Sequence, residues 1–281
     1  KIRRAQNEKS KEYFSVVWRA KRAVAGLASL VWFRSGVFDK IGSSGTVKTH
    51  MTRKKLSNQD FSWTPELAYA VGLITTDGNL SPDGRHVSMR SSDMQLLETF
   101  RQCLGISNRI AQTKNNGYSK KPAFKIQFGG IEFYKWLVHV GLMPNKSHII
   151  GSLNIPDEYF RDFLRGHLDG DGSITTYQDR YNTFKSPEYV YTRLWVRFIS
   201  ASRPHIEWLR ATITKLCEVK GHHSQSKVYE DHPTSMSVLK FGKKESLKLL
   251  NWIYYQPDLP CLIRKRDIVE KFILPTPLEV V

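Results

Sequence analysis

Cysteine is scarce: only Cys103, Cys217 and Cys261 occur in 281 residues, far apart and without a CxxC pair. A disulfide scaffold and a zinc ribbon are thereby excluded, and a reducing compartment is expected. Long apolar runs are also missing. The longest, Ala23 to Phe33, is too short to span a bilayer. It follows Arg19, Lys21 and Arg22 as a signal-peptide core would, but a long polar stretch precedes it. Acids are few, with 26 Asp plus Glu against 43 Lys plus Arg, a net charge of +17. Such an excess points to a polyanionic partner, either nucleic acid or an anionic membrane surface. Apolar residues at 40% and charged residues at 25% exclude wholesale disorder. The length allows one large domain or two modest ones with real cores. A soluble, basic, intracellular protein is expected, in a prokaryotic cytoplasm or an organelle.

The basic charge is uneven. Residues 1–60 hold fourteen Lys or Arg against four Asp or Glu, which is +10 of the chain's +17. Within them Tyr13 to Phe33 has the composition of one or two short helices, and Ile41 to His50 reads as a linker of Gly, Ser and Thr. Met51 sits at the composition change. The segment is read as a basic arm or leader, with a small DNA-binding appendage as the other possibility.

From Phe61 onward the chain repeats itself. Thr64-Pro65 opens an apolar helix pattern over Pro65–Thr76, and Pro156 opens another that runs to Gly170. A shift of 94 residues lays Gly72 on Gly166, Asp77 on Asp171 and Gly78 on Gly172. Each helix precedes strands, a helix, two more strands and another helix. In the first copy these are His86–Ser91, Met94–Leu104, Arg109–Lys114, Ala123–Phe128 and Ile131–Val140. In the second they are Tyr191–Ser200, His205–Val219, Ser224–Tyr229, Ser235–Phe241 and Glu245–Tyr255, with a longer loop from Tyr177 to Glu188. Apolar-basic tails follow, Asn145-Lys-Ser-His-Ile-Ile and Arg264-Lys-Arg-Asp-Ile-Val. The expected architecture is α+β: two tandem αββαββα repeats, residues 61–155 and 156–281.

The chemistry is carried by two strings, Ala70-Val-Gly-Leu-Ile-Thr-Thr-Asp77-Gly78 and Leu164-Arg-Gly-His-Leu-Asp-Gly-Asp171-Gly172. Each is a helix that ends in an acid and then a glycine, which suits the left-handed residue after a helix. An aspartate there is locally unfavourable, because the helix end already carries partial negative charge. Small residues four apart, Gly166 and Gly170 on one helix and Ala68, Gly72 and Thr76 on the other, allow two helix backbones to approach closely. That pairing would set Asp77 beside Asp171 in a shared, oxygen-lined site suited to Mg²⁺. A calcium loop is excluded, since an EF-hand starting at Asp169 would need Gly and Glu where Ile174 and Arg180 stand.

These strings resemble the paired motifs of the LAGLIDADG homing endonucleases in their single-chain form, over about residues 61–275. The second string is the closer match; the first has Thr75 where the family name has an acid. The resemblance implies pseudo-two-fold symmetry between the repeats and antiparallel sheets forming a DNA-binding saddle. It also implies Asp77 and Asp171 as catalytic, metal-holding acids at the family's essential eighth position. Lys146 and Lys265 occupy the places of the basic residues that assist at the cleavage centre, where fixed positive charge favours a developing pentacoordinate phosphate. Water activated by Mg²⁺ or Mn²⁺ would cut double-stranded DNA across the minor groove, leaving short 3′ overhangs. One chain with both halves implies a monomer.

Alternation supports a DNA-facing side of the strands. In Phe124-Lys-Ile-Gln-Phe128 the apolar set faces a core while Lys125 and Gln127 face away, and Arg193, Trp195 and Arg197 oppose Leu194, Val196 and Phe198. The contact set expected for bases and phosphates is Arg90, Lys125, Gln127, Gln178, Arg193, Arg197, Gln225 and Lys240. The alternative function is an intron maturase binding RNA, or a DNA-binding regulator, on the same scaffold. Relatives of that kind often lose an acid, and both acids stand here. A membrane-surface role is disfavoured by the short apolar stripe. No Cys or Ser opens the chain and no His-Asn closes it, so an intein is not expected.

Overall fold

The structure, a computed structural model, describes residues 61–113, 122–226 and 235–272, all within the unit Thr52–Val281. The expected arm or leader of residues 1–60 lies outside the described residues. Helix α1 (Pro65–Thr76) starts where the Thr64 hydroxyl accepts the Leu67 backbone N–H at 3.1 Å and Pro65 fixes the first helical φ. Then follow β1 (Gly78–Leu80), β2 (His86–Ser91), α2 (Met94–Cys103), β3 (Ile110–Thr113), β4 (Ala123–Gly129) and α3 (Ile131–Val140). Helix α4 (Phe160–Gly170) opens the same series again: β5 (Ser173–Asp179), β6 (Tyr191–Ser200), α5 (Arg203–Cys217), β7 (His222–Gln225), β8 (Ser237–Phe241) and α6 (Lys243–Ile253). Helix α7 (Ile263–Glu270) closes the described chain.

Both halves build a four-stranded antiparallel sheet, in the orders β1-β2-β4-β3 and β5-β6-β8-β7. The fold is therefore α+β with the order of elements repeated, as the sequence pattern requires. Each sheet buries one face under its own helices. Val87, Met89, Ile126 and Phe128 meet Phe100 and Phe133 in the first half; Leu194, Val196, Phe198 and Phe241 meet Leu209 and Leu249 in the second. Branched and aromatic residues at alternate positions give each strand one apolar face, and that face sets the register.

The two motif helices α1 and α4 pack against each other at the centre. Their contact is reciprocal. A Cβ added to Gly72 would lie 2.2 Å from the Phe163 carbonyl oxygen, and one added to Gly166 would lie 2.1 Å from that of Tyr69. Tyr69 and Phe163 occupy equal places in the two strings, so contact i to j is matched by j to i, as a two-fold relation demands.

Five expectations differ from the structure. Gly78 and Gly172 are not left-handed; the positive-φ glycines described are Gly84, Gly105 and Gly141. They are glycines for want of space, because a Cβ would lie 2.5 Å from the Ile74 Cα and 2.7 Å from the Leu168 Cα. The chain turns back against its own last helical turn there. The helix expected from Pro156 begins as a 3₁₀ turn at Asp157–Tyr159, without a side-chain cap, before α4 proper. The loop expected from Tyr177 is strand as far as Asp179, because β6 is long enough to pair it: Tyr177 opposes Arg193 and Asp179 opposes Tyr191. The second basic tail folds as α7, whereas Lys146–His148 in the first half is a single 3₁₀ turn. The strand expected at Ser224–Tyr229 begins earlier, at His222, and Lys227–Tyr229 fall outside the described residues.

Candidate active site

Asp77 caps the C-terminus of α1 and Asp171 that of α4. Each carboxyl thus sits at the C-terminal, partially negative end of its helix. Burial pushes Asp77 up to about 6, the Asp171 charge adds to that, and Lys265 and Lys146 oppose it. Asp171 is raised too, again first by burial, with Lys146 and then Lys265 opposing. Much of the Asp171 residue surface meets solvent, yet the crowded helix end still disfavours its charge. The pair is thus a frustrated one: two acids, close enough to repel, at two negative helix ends.

Lys146 and Lys265 are buried, at 7% and 4% exposure. The Lys146 ammonium donates to the Gly78 carbonyl. The Lys265 ammonium donates to the Leu168 carbonyl, to that of Asp169 at 2.9 Å and to that of Gly172 at 2.7 Å. Each lysine therefore ties down the acid-bearing turn of its own half. All three hydrogens of Lys265 are used on backbone oxygens. Burial lowers both ammonium groups to about 8 despite the neighbouring acids. The resemblance implied lysines beside the cleavage centre; their hydrogen bonds make them clamps on the turns that carry Asp77 and Asp171.

A third acid escaped the sequence reading. Asp169 is 1% exposed and accepts the Tyr69 hydroxyl at 2.9 Å and the Leu262 backbone N–H at 2.7 Å, both on Oδ2. Its Oδ1 is buried with no hydrogen-bond partner among the described residues. Burial raises it, against Lys265 and these hydrogen bonds. Asp169 docks the segment that leads to Lys265, so it supports the second acid turn from below. Fully buried Arg165 performs a similar task, joining Asp162 at 2.7 Å and the carbonyls of Ile253 and Pro260 at 2.8 Å. The sequence signals were the acid at the sixth motif place and an Asp-x-x-Arg pair on one helix face. Thr75 stands at the first of these places in the other half and only bonds back to Val71 at 2.8 Å.

The eight expected nucleic-acid contacts do not share one surface. Arg90 opposes Lys125, and Gln127 opposes Ser88, on the face of the first sheet turned away from its core. Arg193, Arg197 and Lys240 stand on the corresponding face of the second sheet, where Arg197 opposes Lys240 and the Lys240 ammonium lies 3.6 Å over the Trp195 ring. Arg193 also pairs with Asp179 at 2.7 Å. Gln178 and Gln225 stand on the opposite side: Gln178 opposes Thr192 and accepts its hydroxyl at 3.1 Å, while Gln225 opposes buried Ser237. Period-two alternation counted through the strand ends separates them from the other six.

Two cavities flank the helix pair. One of about 330 Å³ is bordered by Asp77 and one of about 190 Å³ by Asp171. No cluster of three or more His, Cys, Asp or Glu suited to a metal occurs among the described residues. Two hard carboxylates at a partly desolvated, negative spot nonetheless fit Mg²⁺ or Mn²⁺, ions that use one or two protein carboxylates and complete their shell with water and phosphate.

No protein-family model matches the sequence, and neither does any curated protein. Solved structures are similar to it. Full-length DUF199/WhiA from Thermatoga maritima shares 16% identity over 77% of this chain with a TM-score of 0.43, and this chain spans 64% of that one. The LAGLIDADG homing endonuclease I-LtrWI, solved bound to target DNA, shares 13% identity over 74% of this chain and 89% of its own, with a TM-score of 0.46. I-DmoI, solved with DNA and Mn, shares 14% over 69% of this chain and 98% of its own, with a TM-score of 0.44. Among the described residues no helix is long and apolar enough to cross a membrane.

Proposed function

We propose that the protein is a site-specific endonuclease of double-stranded DNA whose two cutting centres meet at the ends of α1 and α4. The observation that carries this reading is the frustrated pair of acids. Asp77 and Asp171 are raised by burial, and Asp77 further by the Asp171 charge, at two helix ends that already repel anions. Such an arrangement opposes folding and is relieved by a cation, so its presence calls for a function. Mg²⁺ or Mn²⁺, when bound by these carboxylates, supplies Lewis acidity toward a phosphate oxygen.

The chain's own residues do the rest. Lys146 and Lys265 hold the acid-bearing turns rigid and add positive charge beside them. Arg90, Lys125, Arg193, Arg197 and Lys240 meet phosphates and base edges from the outer sheet faces, and Gln127 suits an adenine edge. Hydrolysis adds a water oxygen to phosphorus as the P–O3′ bond breaks; one water proton leaves to solvent and O3′ takes one up. A 5′-phosphate and a 3′-hydroxyl result. One chain carries both acids, so a monomer suffices. A regulator or maturase on the same scaffold would not need the acid pair. The test is a randomised duplex library incubated with the full chain and Mg²⁺, with cut molecules recovered and sequenced. The reading expects one recurrent site, cut only with divalent cation; no cut molecules in Mg²⁺ or Mn²⁺ would overturn it.

A further inference from the structure

The two halves share strand order and register, so their chemistry can be compared place by place. Asn79 and Ser173 are equivalent, being 94 residues apart, and they oppose Ser88 and Arg197. Ser88 in turn opposes Gln127, and Arg197 opposes Lys240. Two residues closer to the acids, the first sheet carries Arg90 opposite Lys125. The second sheet carries Ile199 opposite Val238 at those places. Cationic in one half, the row nearest the acids is apolar in the other.

The flanking cavities repeat the contrast. Arg90 and Arg264 border the cavity at Asp77, where Arg264 also pairs with Asp93 at 3.2 Å. Ile199, Met236, His167 and His205 border the smaller cavity at Asp171, and among the described residues no Lys or Arg borders it. At most one of the two histidines can carry charge. Their Nε2 atoms lie 3.1 Å apart, so one must donate to the other's lone pair, and His205 Nδ1 lies 2.8 Å from the Gly151 carbonyl. Burial holds both pKa values down.

We infer that the two cutting centres are unequal. The cavity at Asp77 grips its scissile phosphate with the guanidinium groups of Arg90 and Arg264, while the described lining of the cavity at Asp171 offers no such grip, so the DNA strands are cut in a fixed order. Guanidinium forks match phosphate oxygens and stabilise charge that grows on them during hydrolysis. The strand seated at Asp77 is cut first, and nicked duplex accumulates before the second cut. This inference rests on the endonuclease reading.

The test uses the full chain and a duplex carrying the selected site, with each strand labelled separately. In Mg²⁺ one strand is expected to be cut about tenfold faster than the other or more. Arg264→Gln should slow that strand alone and narrow the gap, and Ile199→Arg should speed the slow strand. A second readout measures binding alone, at the two scissile phosphates that the cleavage assay locates. Each scissile phosphate is replaced in turn by a neutral methylphosphonate, and affinity is measured by gel shift in EDTA. Neutralising the fast strand's phosphate should weaken binding about fivefold or more, neutralising the other should change it little, and Arg264→Gln should erase the difference. Equal cutting rates with equal methylphosphonate effects would overturn the inference and leave the endonuclease reading standing. Absence of cutting would overturn that reading and the inference with it.

Discussion

Asp77 holds a proton in the folded chain over a range in which the unfolded chain has released it, since its pKa rises from 3.8 to about 6. The folded state binds more protons there, so without metal this group's contribution falls as pH rises through that window and stays low above it. Asp77→Asn removes the penalty. The difference in unfolding free energy, variant minus wild type, should grow by about 1–2 kcal/mol from pH 4 to pH 6.5 in EDTA, a range reduced for partial solvent contact. Urea unfolding at several pH values measures it; a flat difference would remove the repulsion from the account. Lys265 carries another prediction. Lys265→Met leaves three buried carbonyls without their donor and should cost about 2–4 kcal/mol, whereas Lys146→Met, with one such bond, should cost less. Urea midpoints at unchanged slope decide the ranking. Both acids and both lysines were legible as residues of interest, because motif and spacing announce them. What the Lys265 ammonium touches was not legible. It depends on how the tail after α6 folds back onto α4, through Asp169 and Arg165, and a contact spanning more than ninety residues leaves no local pattern.

Between elements, the decisive contact is the crossing of α1 and α4. Small residues four apart made it readable, and the glycines meet backbone rather than movable side chains. Gly72→Ala and Gly166→Ala should therefore each cost about 3 kcal/mol or more, since neither carbonyl can yield without separating the helices. Gly84→Ala is the control: its added Cβ meets nothing, and only the left-handed φ of 70° opposes it, so about 1 kcal/mol is expected. Thermal unfolding of the three variants separates the cases, and equal losses would show that helix approach is not what the motif glycines serve. Strongly alternating strands such as β4 and β6 were legible for the same reason as the crossing, a periodic demand on residue type. Helix α7 was not, because Ile263-Arg-Lys-Arg-Asp carries charge where a surface helix shows an apolar stripe, and its burial of Lys265 and Val269 comes from docking. The Gly78 and Gly172 turns misled in the opposite way. Glycine after a helix suggests a left-handed cap, yet here it makes room for a chain that doubles back on the helix.

For the molecule as a whole, +17 of net charge is the property that a polyanion would feel first. Binding to the selected site should weaken by about a hundredfold or more between 50 and 200 mM salt, as Lys and Arg displace counterions from phosphates. Affinity that barely changes would argue against duplex recognition. Residues 61–281 alone should keep cutting, with the basic segment before them adding affinity. The central claim is that the acid pair exists to cut DNA and not to bind it. Its most direct measurement is cleavage of a supercoiled plasmid carrying the selected site, by wild type, Asp77→Asn and Asp171→Asn in Mg²⁺, with a gel shift of the same site in Ca²⁺. The account predicts binding within about twofold for all three proteins and cleavage reduced by several orders of magnitude in both variants. Variants that cut like wild type would contradict it, and so would folded variants that no longer bind.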